Sequence, residues 1–206
     1  MTTTAPQPTH HLSEAEYLAL ERAALDVKSE FCDGEMFAMA GGTRRHSKIS
    51  TNLSREFGNK LIERRCQPFN ADLRVKVEAT GLYTYPDLSV VCGEDRHVDE
   101  EKDTLTNPTV IVEMLSDSTE AYDRGKKFEH YRQIPSLREY LLVSQIEPRI
   151  EQFIRQPNSE WLLREASGLN ATLALPSLEI TISLAEVFRN VKFPSEAGHH
   201  EPRRPG

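Results

Sequence analysis

Seven consecutive residues, Thr109 to Leu115 (TVIVEML), constrain this chain more than any other segment, because Glu113 is their only ionisable residue. So short and β-branched a run reads as a strand buried on both faces. An ionised carboxylate without a partner in such a place is strongly unfavourable. Strand alternation sets Ile111, Glu113 and Leu115 on one face and Val112 and Met114 on the other. Glu113 therefore requires compensation, either from a buried Arg or Lys in a structural ion pair or from a functional site.

The rest of the chain supplies elements to surround this strand. Ser13 and Glu16 form a capping box ahead of Tyr17, Leu18 and Leu20, predicting a short helix. Asp33-Gly34 between Phe31 and Met36 predicts a hairpin turn. From Thr43 to about Arg64, Ile49, Leu53, Phe57 and Leu61 recur every four residues, as one face of a long helix requires. NADLRVKVEA, YPDLSVVCG, EYLLVS, RIEQFIRQ, WLLREAS and LEITIS read as strands, and SLAEVF as a short closing helix. A second long helix is expected over DSTEAYDRGKKFEHYRQI, with Asp117 and Glu120 as its capping box and Phe128, Tyr131 and Ile134 on one face. The order implies an α/β (α+β) fold, a mixed sheet with a long helix on each face and an N-terminal hairpin.

Residues 1–11 and 195–206 lack apolar periodicity and read as disordered tails around one domain, residues 12–194. His199 and His200 fall in the second tail and read as solvated. The N-terminus does not resemble a secretion signal and no run approaches the roughly 18 apolar residues of a membrane span, so a cytoplasmic protein is expected. Cys32, Cys66 and Cys92 form no CxxC pair and read as reduced, small core hydrophobes. The formal charge of -7 argues against a broad basic face that coats nucleic acid, but not against a local basic cleft. Six acids and two bases lie in EDRHVDEEKDT, a solvated loop. Trp161 reads as a core or interface residue.

Two further residues bear on Glu113. Asp87 follows Pro86 at the entrance of LSVVC, where it either satisfies a turn or joins Glu113 on one divalent cation, an arrangement suited to oxygen-loving magnesium. Lys127 lies in the helix after the Glu113 strand, flanked by Arg124 and Lys126, either as a solvated charged face or as a group that holds water or phosphate.

The succession DGE, RRHSKI, ADLRV, YPDLSVV, VIVEMLSDST, DRGKK, YRQIPSLREYLLV and ALPSLEITISLAEVF resembles the Uma-type (type two) restriction endonucleases of the PD-(D/E)xK nuclease superfamily over residues 13 to 190. The resemblance implies a restriction-endonuclease-like core and a magnesium-dependent endonuclease acting on DNA, with manganese as a substitute metal. It implies that Asp87 and Glu113 are metal ligands, joined by the backbone carbonyl of Met114. The superfamily's lysine position is occupied by Leu115, and the resemblance assigns its role to Lys127, whose DxxxK spacing from Asp123 fits better than that of Lys126. His46 matches the family's histidine at the start of the first long helix, where it orients water or phosphate or else caps the helix. Asp72 and Glu30 match family positions and read first as structural. Arg44, Arg45, Lys48, Arg124 and Lys126 are expected to rim the cleft and bind the nucleic-acid backbone. A homodimer would suit two-strand cleavage. The competing readings are a binding or interaction module whose activity is weak or lost, and a nuclease for RNA or repair intermediates.

Overall fold

Helix α1 (Glu14–Ala23) begins as its sequence dictates, with the Ser13 hydroxyl accepting from the Glu16 amide and the Glu16 carboxylate accepting from the Ser13 amide. The chain then enters the hairpin of β1 (Ser29–Cys32) and β2 (Glu35–Ala38). Its two-residue turn needs positive φ at both positions, and Asp33 (51°) and Gly34 (83°) supply it. These observations come from a computed structural model that describes residues 11–39 and 41–194. Both expected tails, apart from His11, and the His199–His200 pair lie outside the described residues.

The long amphipathic helix is α2 (Arg44–Leu61), capped by the Thr43 hydroxyl. It buries Ile49, Leu53, Phe57 and Leu61, each contributing roughly 1.5–3 kcal/mol. Strands β3 (Cys66–Asn70), β4 (Arg74–Val77), β5 (Leu82–Thr84), β6 (Leu88–Cys92), β7 (Thr104–Leu105) and β8 (Val110–Met114) follow. Then come the helical segments α3 (Glu120–Tyr122), a π-helical turn (Asp123–Lys127) and α4 (Phe128–Tyr131). Strands β9 (Glu139–Val143), β10 (Arg149–Arg155), β11 (Trp161–Ser167), β12 (Thr172–Leu175) and β13 (Ile180–Ser183) lead to α5 (Leu184–Val187).

The strands divide into two main sheets where the sequence suggests one. The central sheet has the order β11-β10-β9-β8-β6-β3, antiparallel except for the parallel β8–β9 pair, and the second has the order β2-β1-β5-β4-β7. Alternation along β8 decides what each face meets. Val110, Val112 and Met114 join α2, α5 and the β12–β13 hairpin in one apolar cluster. Ile111 and Leu115 join Val75, Val77 and Leu82 of the second sheet and Tyr131 of α4 in another. The long helix expected on each face is therefore present on one face only; on the other, the second sheet and the segmented helix share the covering.

Three local expectations need correction. The helix after β8 is not continuous: a π-helical turn interrupts it at Asp123–Lys127, in the segment that brings Lys127 to Glu113. It starts at Thr119 without a side-chain cap rather than with an Asp117–Glu120 box: the Glu120 amide that Asp117 would cap donates to the Ser116 carbonyl, and the Ser116 hydroxyl accepts from the Thr119 amide. The cysteines are not all reduced: Cys66 and Cys92 form a disulfide. Strand β3 lacks the alternation that would predict it, and its register against β6 sets these cysteines directly opposite each other. Cys32 is free. Trp161 is partly buried and meets Phe128 edge-on, 5.2 Å between ring centroids.

Candidate functional site

The two acids come together because β6 and β8 are antiparallel neighbours. Leu88 pairs with Val112, so continuing this register one residue places Asp87 across from Glu113. Pro86 and Asp87 precede the β6 ladder, which leaves the Asp87 side chain available to groups beyond it. One Asp87 oxygen accepts from the Met114 amide at 2.7 Å, and the other lies 2.8 Å from His46 Nε2. His46 is at the start of α2, so the first long helix and the entrance of β6 meet through this pair. The Asp87 hydrogen bond raises the His46 pKa above its ordinary value, against the opposing effect of burial.

Glu113 faces the segmented helix. Lys127 Nζ is 3.0 Å from Glu113 Oε1, 3.0 Å from Glu30 Oε1 and 3.6 Å from Asp123 Oδ1. The Tyr131 hydroxyl donates to Glu113 Oε1 at 2.7 Å, and the Thr84 hydroxyl donates to Glu30. Asp123, Lys127 and Tyr131 succeed one another at four-residue intervals, placing them along one side of the helical segment. Lys127 is only 6% exposed and Glu113 only 4%, so these are interior charges.

The electrostatic balance of this cluster is uneven. Burial raises the Glu113 pKa to about 8, with Lys127 opposing the rise and Asp87 and Asp123 adding to it. Burial also raises Asp123. For Lys127, burial disfavours the charge, but Glu113, Glu30 and Asp123 outweigh it and hold the ammonium protonated. One buried ammonium thus faces three carboxyl groups, and Asp87 lies close enough to repel Glu113 further. A cation would relieve this negative surplus.

Whether the residues suit magnesium is decided by their chemistry. Asp87 at the entrance of β6 and Glu113 on β8 offer hard oxygens, and Met114, bonded to Asp87 through its amide, has a carbonyl that could complete the set. Magnesium commonly uses one or two carboxylates and keeps several waters, so this donor set fits it. Among the described residues no group of three or more His, Cys, Asp or Glu side chains is arranged to hold a metal.

The remaining expected residues separate into three groups. Arg44, Arg45 and Lys48 line a cleft of roughly 500 Å³ with Leu115, Ser116 and Gln145, immediately beyond β8. Arg124 bonds Glu120 and Glu151 instead of reaching into a cleft freely, whereas Lys126 is exposed beside the buried Lys127. Asp72 pairs with Lys28 near the surface, while Glu30 enters the buried cluster. Sequence reasoning missed the roles of Tyr131, Thr84 and Gln145. The four-residue spacing from Lys127 could have identified Tyr131. No local pattern marks Thr84 or Gln145, whose amide donates to the Leu115 carbonyl and whose Oε1 accepts from Thr43.

Comparison with known proteins gives the same frame. Residues 14–185 match the Uma2 family, described as "Putative restriction endonuclease". Two Synechocystis sp. proteins, each described as uncharacterized, sll1609 and slr1290, are both 37% identical to this chain. The alignments cover 84% of this chain and 97% of the first, and 90% of this chain and 96% of the second. A solved structure from Anabaena variabilis, described as a "putative nuclease belonging to DUF820", superposes with a TM-score of 0.67 at 19% identity, covering 84% of this chain and 96% of that one. At that identity the likeness shows the fold, consistent with a restriction-endonuclease-like core. Among the described residues no helix is long and apolar enough to cross a membrane. With the family model matching residues 14–185, across both main sheets, the chain belongs to the Uma2 family.

Proposed function

We propose that this chain is a magnesium-dependent endonuclease that hydrolyses DNA phosphodiester bonds. The observation that carries the proposal is the meeting of Glu113 on β8 with Lys127 of the following helical segment, with Asp87 at the entrance of β6 near enough to act on Glu113, in a cluster with a surplus of carboxyl groups. Asp87, Glu113 and the Met114 carbonyl would hold the magnesium, with manganese as a substitute. Bound there, the metal would polarise the scissile phosphate and lower the pKa of a water.

The chain's own residues account for the rest. The buried Lys127 ammonium provides a fixed positive charge that offsets the negative charge developing on the phosphate oxygens. Tyr131 holds Glu113 at Oε1, and His46 together with the Met114 amide fixes Asp87. Arg44, Arg45, Lys48 and Lys126 supply positive charge to the nucleic-acid backbone outside this site.

Supercoiled and linear DNA incubated with the protein and magnesium, manganese or EDTA tests the reading, alongside Asp87→Ala, Glu113→Ala and Lys127→Ala variants shown by circular dichroism to be folded. Metal-dependent nicking that the variants lose is the expected result. Wild-type protein that cleaves neither substrate would overturn it. The second reading, a binding module with weak activity, draws on one observation: both Asp87 oxygens and Glu113 Oε1 already have protein partners.

A further inference from the structure

A second cleft adjoins the one beside β8. It occupies roughly 400 Å³ and is lined by Arg44, Ser47, Lys48, Thr51, Arg55 and Arg189, among others. The two clefts share Arg44, Lys48 and Asn190, so they form one groove along the outer side of α2. Six basic residues line it (Arg44, Arg45, Lys48, Arg55, Arg189 and Lys192) against one acid, Asp117, in a chain whose formal charge is -7. Positive charge is therefore concentrated here against the trend of the whole molecule.

Two structural features suit this groove to an extended anion. Its far wall is fixed: the buried Asn52 amide donates from α2 to the carbonyls of Val187 and Arg189, and Asn190 takes a positive φ of 59° as the chain turns beside them. Its cations are partly unused. Glu186 pairs with Arg55 and Arg189, but among the described residues the side chains of Arg44, Lys48 and Lys192 have no ion-pair or hydrogen-bond partner. An exposed cation left unpaired loses little on desolvation when it meets phosphate, and releases condensed counterions from the nucleic acid.

We propose that this groove is a phosphate-backbone track that carries one strand of duplex DNA away from the scissile position. The stretch of α2 from Arg44 to Arg55 rises about 16 Å, at 1.5 Å per residue. That length equals the rise of about five base pairs along the duplex axis at 3.4 Å each. The end at Leu115, Ser116 and Asp117 adjoins the strand that bears Glu113, which gives the track a start at the candidate active site. The inference rests on the nuclease reading for its direction, although backbone binding can be measured by itself.

Fluorescence anisotropy with a labelled duplex of about 20 base pairs in EDTA separates the two. The test variant is Lys48→Glu with Lys192→Glu. The control is Arg138→Glu with Arg164→Glu, which makes the same change in net charge at exposed residues that line neither cleft. Thermal melting confirms that both fold. The track requires the test variant to bind at least about tenfold more weakly than the control and the slope of log K against log salt to fall by about 2, since two phosphate contacts are lost. Equal affinity and slope in the two variants would overturn the track, and so would absence of binding by the wild type. Plasmid nicking is scored separately with the wild type: nicking with equal binding by both variants leaves the nuclease reading and removes the track, whereas a selective loss of binding without nicking supports the track on a protein that does not cleave.

Discussion

Two ion-pair networks in this protein both set basic side chains against carboxyl groups and come to opposite balances. On the flank of the second sheet, Arg22 meets Asp99 and Asp103 at 2.8 Å each, and the buried Arg74 also meets Asp103. Two cations face two anions. Arg22 holds Asp103 well below the usual carboxylate range, with Arg74 and Thr104 adding to the effect and burial opposing it. Beneath the central sheet, one Lys127 faces Glu30, Glu113 and Asp123, and burial raises Glu113 to about 8. The balanced network is complete in itself and ties the acidic loop to α1 and β4. The unbalanced one leaves Glu113 favouring its protonated form, a perturbation that the proposed function reads as a site able to take a metal ion.

The sharpest way to break this comparison is by activity. Under the proposed function, Asp87→Ala and Lys127→Ala are expected to lower DNA cleavage about 100-fold or more, because they remove a ligand or a fixed charge that acts on the transition state. Asp103→Asn, in the balanced network, should leave cleavage per folded molecule unchanged. A plasmid-nicking time course with all three variants decides whether the distinction holds.

The next effect is on the pH dependence of stability. Glu113 is raised from an ordinary 4.5 to about 8, so between those values the folded protein retains a proton that the unfolded chain has released. Its contribution is fully present below about 4.5 and is lost as pH rises through about 8, by at most about 1.4 kcal/mol per pH unit. In metal-free buffer the melting temperature of Glu113→Gln should therefore rise relative to wild type between pH 5 and 8. A constant difference would show that Glu113 is not under this strain.

A smaller change is expected from Arg74→Met. Arg74 is only 3% exposed, and its loss leaves Asp103 with Arg22 and leaves the Thr104 hydroxyl without the Arg74 donor. Urea denaturation should register a loss of about 1–3 kcal/mol with cleavage retained. The smallest effect is local to His46. Because Asp87 raises its pKa, the stabilisation from the pair is present below the ordinary 6.5 and fades as pH rises through the raised value. Its imidazole resonance in NMR should titrate above 6.5, and Asp87→Asn should bring the midpoint down.

Much of this was legible in the sequence, for identifiable reasons. Glu113 declared itself because it interrupts a run whose every neighbour belongs inside, and the capping box at Ser13 and the Asp33-Gly34 turn use local chemistry that leaves a signature in a few residues. The ion pair of Glu30 has no local signature, because its partner lies in a helix nearly a hundred residues later and the pairing depends on how β1 sits beside β5 in the second sheet. The π-helical turn leaves no mark in the sequence, because a four-residue spacing cannot show that a helix widens by one residue. The Cys66–Cys92 disulfide depends on the β3–β6 register, and β3, with Gln67 and Pro68 in its centre, lacks the period of a strand.

The most direct test of the unmet charge at Glu113 is manganese binding followed by electron paramagnetic resonance in wild type, Asp87→Asn and Glu113→Gln, with Asp103→Asn as the balanced-network control. One bound manganese in wild type and in Asp103→Asn, lost in the other two, is the expected result, with binding that tightens as pH rises toward 8 because Glu113 must give up its proton. Manganese bound equally by all four proteins, or by none, would contradict the account.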